Sequence, residues 1–456
     1  MKIQFLGAAG TVTGSRYLLT SEKTTLLVDC GLFQGFKALR LKNWASFPVN
    51  LKKLDAILVT HAHLDHSGYL PLLVKQGYRG PIYATRPTID LCSILLPDSG
   101  YLQEEEARLA NQRGYSKHHP ALPLYTSDDA RRCLESFKRV PWQKPNEISR
   151  KGRGNLKFEF HPAGHLLGAA SVRVETEFGS IAFSGDLGRR SDPLVREPDP
   201  RFEADYLVVE STYGDRIHPK VDPEAQLREV VLRTFSRAGT LVIPSFAVGR
   251  AQLILYHLLQ LKRRGAIPNI PVYLNSPMAA QANAVMSAHE GELKISRDEL
   301  AEIWRSVRVI SSQEESVALN EKDEPSIIIA ASGMATGGRV LHHLKRFAPD
   351  PRNTILFAGY QAGGTRGDLM VRGAETIKIH GEQWPVRAEV ISMDNLSAHA
   401  DADEILDWIS SLRKKPRRVF ITHGESGASE TLRKRIEAEL GLDAVVPENQ
   451  QEWELC

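Results

Sequence analysis

Four side chains able to bind a metal fall within six residues: His61, His63, Asp65 and His66 in the run ILVTHAHLDHSG, residues 57–68. Two imidazoles flanking a single residue can converge on one ion. Asp65 and His66 carry the chain round a turn toward a second. Imidazole and carboxylate donors suit zinc, whereas magnesium prefers octahedra made of oxygen. An ordinary strand-to-helix turn with an aspartate N-cap accounts for one histidine there, not for three.

Further candidates stand where apolar runs end. Asp29 closes TTLLVDCG, and a carboxylate at that point can accept a hydrogen bond from a ligand histidine and orient its ring. His165, preceded by Gly164, is a better ligand than His161, which precedes a proline, because glycine lets the backbone come close to an ion. Asp186 follows IAFSG, His399 lies in LSAHAD, and His423 ends RRVFITHGE. If His399 and His423 join His61, His63 and His165, one domain is built from both ends of the chain. The segment between them is then an insertion.

The elements that must position these groups follow from patterning. The chain has 456 residues, 42% hydrophobic and 25% charged, which is the balance of a folded protein too long for one ordinary core. No apolar stretch approaches a membrane span, and the start MKIQFLGAAG reads as a strand and glycine turn, not a signal peptide. Cys30, Cys92, Cys133 and Cys456 lack paired spacing and read as reduced thiols of a cytoplasmic protein. A formal charge of +3 permits a polyanionic substrate without requiring one.

Strands are expected at KIQFLG, YLL, TTLLVDCG and ILVT, then a largely helical stretch over residues 88–150, then strands carrying His161, His165 and Asp186. From YLVVESTYGD onward the pattern changes. TLVIPSF, PVYLNS, SIIIAASG, NTILFAGY and RAEVISM alternate with helical segments, which predicts a mostly parallel α/β sheet. Its turns are small and polar, and Ser332–Arg339 is similar to an anion-holding nest at a helix N-terminus.

The set His61, His63, Asp65, His66, His165 and Asp186 resembles the metallo-β-lactamase superfamily. Glu210 in VVEST, His399 in LSAHAD and His423 in THGE resemble the three further motifs of its β-CASP branch, which processes nucleic acids. Histidine at 423 is similar to the RNA-acting members, and the chain looks like the compact bacterial relatives of the cleavage and polyadenylation specificity factor nuclease. The resemblance implies an α/β protein, a four-layer αββα metallo-β-lactamase sandwich with an inserted α/β β-CASP domain. The implied boundaries are 1–210 and 391–456 for the sandwich and 211–390 for the insertion.

The resemblance also implies two Zn2+ ions per chain, one on His61, His63 and His165, the other on Asp65, His66 and His423, with Asp186 bridging. It implies a ribonuclease, endonucleolytic, in which a metal-bridging hydroxide cuts phosphodiesters to 5′-phosphate and 3′-hydroxyl ends. A DNA nuclease or a non-catalytic RNA-binding scaffold is the alternative. Asp65, His399 and Glu210 are the expected catalytic residues. The metal ligands leave the departing 3′ oxygen without a proton donor, a task His399 can perform with Glu210 orienting it. RNA is the expected partner, in a cleft between the two domains, with Arg250, Ser332, Thr336, Arg339 and Arg366 as candidate contacts. No membrane association is expected, and a homodimer is admissible.

Overall fold

The computed structural model describes residues 1–21, 24–114, 116–149 and 155–455, so the Cys456 thiol lies outside the described residues. The chain forms two compact units, Met1–Ile217 with His399–Cys456, and His218–Ala398. Cys30, Cys92 and Cys133 are free and buried. Among the described residues, no helix is long and apolar enough to cross a membrane.

The first unit holds two seven-stranded sheets. One runs in the order Glu452–Glu454, Lys2–Phe5, Tyr17–Thr20, Thr25–Val28, Ala56–Leu58, Ile82–Thr85 and Phe137–Val140. The other runs Ala444–Val445, Arg418–Thr422, Tyr206–Glu210, Gly179–Phe183, Ala170–Thr176, Asn155–Pro162 and Asn146–Ser149. Alternation along these strands sorts their side chains. Ile3 and Phe5, Leu26 and Val28, Val172 and Val174, and Ile181 and Phe183 join one core formed by side chains of both sheets. The opposite alternation in the second sheet, with Leu207, Val209, Val419 and Ile421, buries against Ile405, Trp408 and Ile409 of the helix Ala402–Ser410 and against Leu432 and Ile436.

Residues far apart in sequence complete both sheets. Glu452–Glu454 pairs antiparallel with Lys2–Phe5, and Arg418–Thr422 pairs parallel with Tyr206–Glu210. The strands Gly179–Phe183, Tyr206–Glu210 and Arg418–Thr422 are mutually parallel, so the segments leading to Asp186, Glu210 and His423 emerge at one edge. Thr25–Val28 and Ala56–Leu58 are likewise parallel and deliver Asp29 and His61.

The second unit carries a six-stranded sheet in the order Arg308–Val309, Val272–Asn275, Ile327–Ala330, Leu241–Pro244, Thr354–Phe357 and Glu389–Ser392. All its pairings are parallel, as the runs of Val and Ile predict. A separate two-stranded hairpin, Thr376–Ile379 with Glu382–Pro385, lies in sequence between its strands Thr354–Phe357 and Glu389–Ser392.

Candidate metal centre

At the edge where these strands end, the imidazoles converge nitrogen to nitrogen. His63 Nδ1 lies 3.2 Å from His61 Nε2 and 3.2 Å from His165 Nε2. Asp186 Oδ2 lies 3.3 Å from His61 Nε2 and 3.6 Å from His165 Nε2. One ring nitrogen cannot satisfy two others by hydrogen bonding, because it has either one proton or one lone pair to offer. A cation satisfies all of them. Donors of a tetrahedral zinc with bonds of about 2.0–2.1 Å stand roughly 3.3–3.4 Å apart, which matches the observed spacing.

A second cluster adjoins the first. His423 Nε2 lies 3.2 Å from His66 Nε2 and 3.3 Å from Asp65 Oδ2. The other oxygen of Asp186, Oδ1, lies 3.1 Å from His66 Nε2. Asp186 therefore turns one oxygen to each cluster. His61, His63, His165 and Asp186 form one group able to hold a metal ion, and Asp65, His66 and His423 another.

The protein holds most of these rings by their other nitrogen. His66 Nδ1 lies 2.8 Å from Asp29 Oδ2, and that oxygen also accepts from Thr60 Oγ1 at 2.8 Å. Thr60 Oγ1 is 3.1 Å from His61 Nδ1, and Thr212 Oγ1 is 3.1 Å from His423 Nδ1. Each contact turns Nε2 of its ring to the cluster. His165 Nδ1, by contrast, is buried without a hydrogen-bond partner among the described residues.

Burial lowers the basicity of three rings: His61, His165, and His63, whose pKa falls to about 3. They are neutral, as ligands must be. At His66 burial acts the same way, but the carboxylates of Asp186 and Asp29 outweigh it and raise the pKa well above the ordinary value. At Asp186 burial works upward and is overcome by the charges of His423, His66 and His61. Positive charge is favoured at the second cluster.

Two glycines make the approach possible. A Cβ on Gly31 would lie 1.6 Å from the Asp65 carbonyl oxygen, and one on Gly188 would lie 1.8 Å from that of Gly164. The first contact seats the Asp65–His66 turn, where Cys30 N donates to His66 O and Ser15 N to Asp65 O. The second brings His165 beside Asp186.

His399 stands next to this centre without joining a cluster among the described residues. Its Nδ1 is 3.1 Å from both oxygens of Glu210, and its ring centroid is 4.4 Å from that of His165. Glu210 also accepts from Leu187 N at 2.7 Å, and Ala400 N donates to Leu187 O at 2.8 Å. Asp401 then caps the helix Ala402–Ser410 with a capping box, which fixes where the chain leaves His399. Burial opposes a charge on His399, but the Glu210 carboxylate prevails and raises its pKa.

Three family models match the sequence: the metallo-beta-lactamase superfamily domain over residues 18–197, the Beta-Casp domain over 251–370, and the Zn-dependent metallo-hydrolase RNA specificity domain over 383–447. Ribonuclease TTHA0252 of Thermus thermophilus is 37% identical over 435 residues, 93% of each chain. The chain belongs to the β-CASP branch of the metallo-β-lactamase superfamily. The chain is also similar to the transcription termination factors FttA of Methanocaldococcus jannaschii, 32% identical over 98% of this chain and 71% of that one, and of Pyrococcus abyssi, 34% identical over 98% and 70%. A crystal structure of a protein of unknown function from Enterococcus faecalis V583 shares the β-CASP chain's fold, with a TM-score of 0.53 at 13% identity over 99% of both chains.

The β-CASP unit gives the arginines expected to meet RNA phosphates protein partners: Arg250 is buried, and Arg339 and Arg366 are half-buried. Arg339 donates to Asn275 Oδ1 at 2.8 Å, Ile310 O at 3.1 Å and Ser311 O at 2.7 Å. Arg366 donates to the carbonyls of Lys378, Ala335 and Thr336. Arg250 is buried in the first turn of the helix Arg250–Arg263, its Nη1 against Gly359. Ser332 Oγ accepts from Thr336 N at 3.1 Å and lies 3.0 Å from Thr336 Oγ1, closing the turn on itself.

The sequence reading missed Thr60 and Thr212. Their signal is adjacency: Thr60 precedes His61, and Thr212 stands two residues after Glu210. It also missed that Asp29 (φ 58°) and His423 (φ 50°) adopt left-handed backbone, a costly conformation for non-glycine residues that recurs at functional sites.

Proposed function

We propose that this chain is a zinc-dependent ribonuclease that cuts RNA internally, leaving 5′-phosphate and 3′-hydroxyl ends. The observation that carries the reading is Asp186, with one carboxylate oxygen directed to each of two adjoining ligand clusters. Charge supports two ions. Asp29, Asp65 and Asp186 bring three carboxylates to one centre, while Glu210 is offset by His399, and divalent cations supply the positive charge the other three call for. The match to an RNA specificity domain over residues 383–447, and the relative named a ribonuclease, support RNA as substrate.

In this reading His61, His63 and His165 hold one zinc, and Asp65, His66 and His423 the other, with Asp186 between them. Two zinc ions held there would supply positive charge for the phosphodiester oxygens and make a water acidic enough to react near neutral pH. The residues around them do the rest. Asp29, Thr60 and Thr212 keep the ring nitrogens facing the clusters. Glu210 accepts a hydrogen bond from Nδ1–H of His399 and favours the protonated ring, so exchange with substrate runs through Nε2. The attacking water loses one proton to solvent as its oxygen bonds to phosphorus, and as the P–O3′ bond breaks His399 Nε2 delivers a proton to the departing 3′ oxygen.

The test uses RNAs labelled at the 5′ or 3′ end and DNA of matched sequence, incubated with zinc and with chelator. Internal RNA cleavage that chelator abolishes and zinc restores is expected. Equal cutting of DNA would overturn the substrate assignment, and cleavage indifferent to chelator would overturn the metal mechanism.

A further inference from the structure

Ten residues after Phe33, Asn43 returns to the same place. Asn43 Oδ1 accepts from Phe33 N at 2.9 Å and its Nδ2 donates to Phe33 O at 2.8 Å, so a reciprocal pair closes the stem of an excursion over residues 34–42. The stem is rooted at the metal centre. Leu32 N donates to Leu64 O at 2.8 Å, one residue before Asp65. It is also stiff. The buried Arg16 guanidinium reaches Gly31 O at 2.7 Å and Asn43 Oδ1 at 3.4 Å, and lies over the ring of Phe33 at 4.9 Å and of Tyr69 at 4.0 Å.

What this stem presents is unusual for a surface. The helix Lys37–Lys42 buries none of its residues. Phe36 is 55% exposed, Leu41 55% and Trp44 59%. Such a cluster of large apolar side chains is costly to leave in water unless something covers it. Between residues 34 and 53 stand Lys37, Arg40, Lys42, Lys52 and Lys53 with no aspartate or glutamate. None of the five forms an ion pair among the described residues. Phe36 precedes this helix, Arg40 lies within it and Trp44 follows it, so a guanidinium stands between two exposed rings along the segment.

Resting on the ribonuclease reading, we infer that residues 36–44 form a stacking platform for single-stranded RNA at the rim of the metal centre. Exposed rings beside cations that form no ion pair, one of them (Lys42) lying over the Phe33 ring at 5.2 Å, are what an unpaired strand requires: faces for bases and charges for phosphates. Phe36 caps the N-terminal end of the helix Lys37–Lys42 and Trp44 follows its C-cap Asn43, so a ring stands at each end of a helix about 9 Å long, room for two to three stacked nucleotides at about 3.4 Å each. A protein partner would be matched less well, because the apolar area is divided by uncompensated cations. The site holds RNA beyond the scissile bond and so selects substrates with an unpaired flank.

The test measures affinity of the full zinc-loaded chain for oligoribonucleotides of four and twelve residues made uncleavable by methylene in place of each bridging 3′ oxygen, alongside cleavage of ordinary RNA by the same preparation. Phe36→Ala with Trp44→Ala should weaken binding of the twelve-residue strand about tenfold, within the range for losing base stacking. Lys37→Glu with Arg40→Glu and Lys42→Glu should lower the slope of log affinity against log salt by about two, at roughly 0.7 per single-strand phosphate. Binding by the wild-type chain should quench the exposed Trp44 fluorescence. Unaltered affinity and slope in both variants of a chain that still cleaves RNA would overturn the platform while leaving the ribonuclease reading intact. A change of sedimentation from dimer to monomer with RNA affinity preserved would overturn it in favour of self-association. A wild-type chain that binds RNA but never cuts it would fail the catalytic reading and leave the platform standing.

Discussion

Gly31 and Asp65 touch so closely that no side chain fits between them: a Cβ on Gly31 would stand 1.6 Å from the Asp65 carbonyl oxygen. The obstacle is backbone, which cannot swing aside. Gly31→Ala must therefore displace the turn that carries Asp65 and His66. The expected result is a chain that folds with lowered stability, by about 1–3 kcal/mol or more, and loses metal from the second cluster first. Zinc analysis beside thermal unfolding checks this; a fully loaded Gly31→Ala chain of normal Tm would refute it.

The two clusters predict two zincs per chain in protein purified without chelators. Removing them should lower the unfolding temperature, because binding to the native state alone stabilises it. His423→Ala removes the ligand that faces both Asp65 and His66, at 3.3 and 3.2 Å. It should retain about one zinc and little cleavage activity. Retention of two would remove His423 from the metal-binding set.

Much of this centre is legible in the sequence because ligands stand where apolar runs stop. His61, Asp186 and His423 can each be read from the strand before them, and the pairing of residues 206–210 with 418–422 brings the two ends of the chain together. What holds the ligands is less legible. Thr60 and Thr212 act through distances that no local pattern encodes, and nothing in TTLLVDCG announces a left-handed Asp29. Arg339 shows what spacing does not reveal. A surface arginine beside glycines suggests phosphate, but its acceptors, Asn275 Oδ1 and the carbonyls of Ile310 and Ser311, arrive from other segments.

Those acceptors turn Arg339 into a stability prediction. Hydrogen bonds to a charged donor contribute about 1.5–3 kcal/mol each when well formed, and partial exposure of Arg339 reduces the sum. Arg339→Ala should cost about 2 kcal/mol in the second unit. The salt dependence of RNA binding should stay as in the wild type. Urea unfolding and RNA titration on the same variant separate the two effects, and a lowered salt slope at unaltered stability would restore the phosphate role.

Asp205 provides a pH-dependent tie between the chain's two halves. Its carboxylate lies 2.8 Å from Lys414 Nζ and accepts from Ser180 N at 2.9 Å, and its backbone carbonyl accepts from Arg417 N at 2.7 Å. The hydrogen bond from Lys414 leads those that lower its pKa from 3.8 to about 2. The folded chain thus binds this proton less readily than the unfolded one. The stabilisation is present above pH 3.8 and fades as pH falls toward about 2. Asp205→Asn should be less stable than wild type at neutral pH, with the deficit closing across that window. A deficit independent of pH would assign the effect to packing.

His399 and Glu210 distinguish catalysis from metal binding. Glu210 holds His399 Nδ1 at 3.1 Å while also accepting from Leu187 N at 2.7 Å, so the carboxylate orients the ring and the loop that carries Asp186 together. His399→Ala leaves every proposed ligand in place. It should keep both zincs while the single-turnover cleavage step slows at least ~10²-fold, the range for loss of general acid catalysis. Glu210→Gln puts an amide where a carboxylate accepts from ring and backbone, and its NH2 group must oppose one of those donors. Its cleavage step should slow as well, and its ring should turn from the position that serves the 3′ oxygen. A substrate whose leaving group needs no proton, such as a nitrophenyl phosphodiester, should restore most of the rate to His399→Ala. If that substrate is cut as poorly as RNA, or if zinc falls with His399→Ala, the histidine acts on the metals and not on the leaving group.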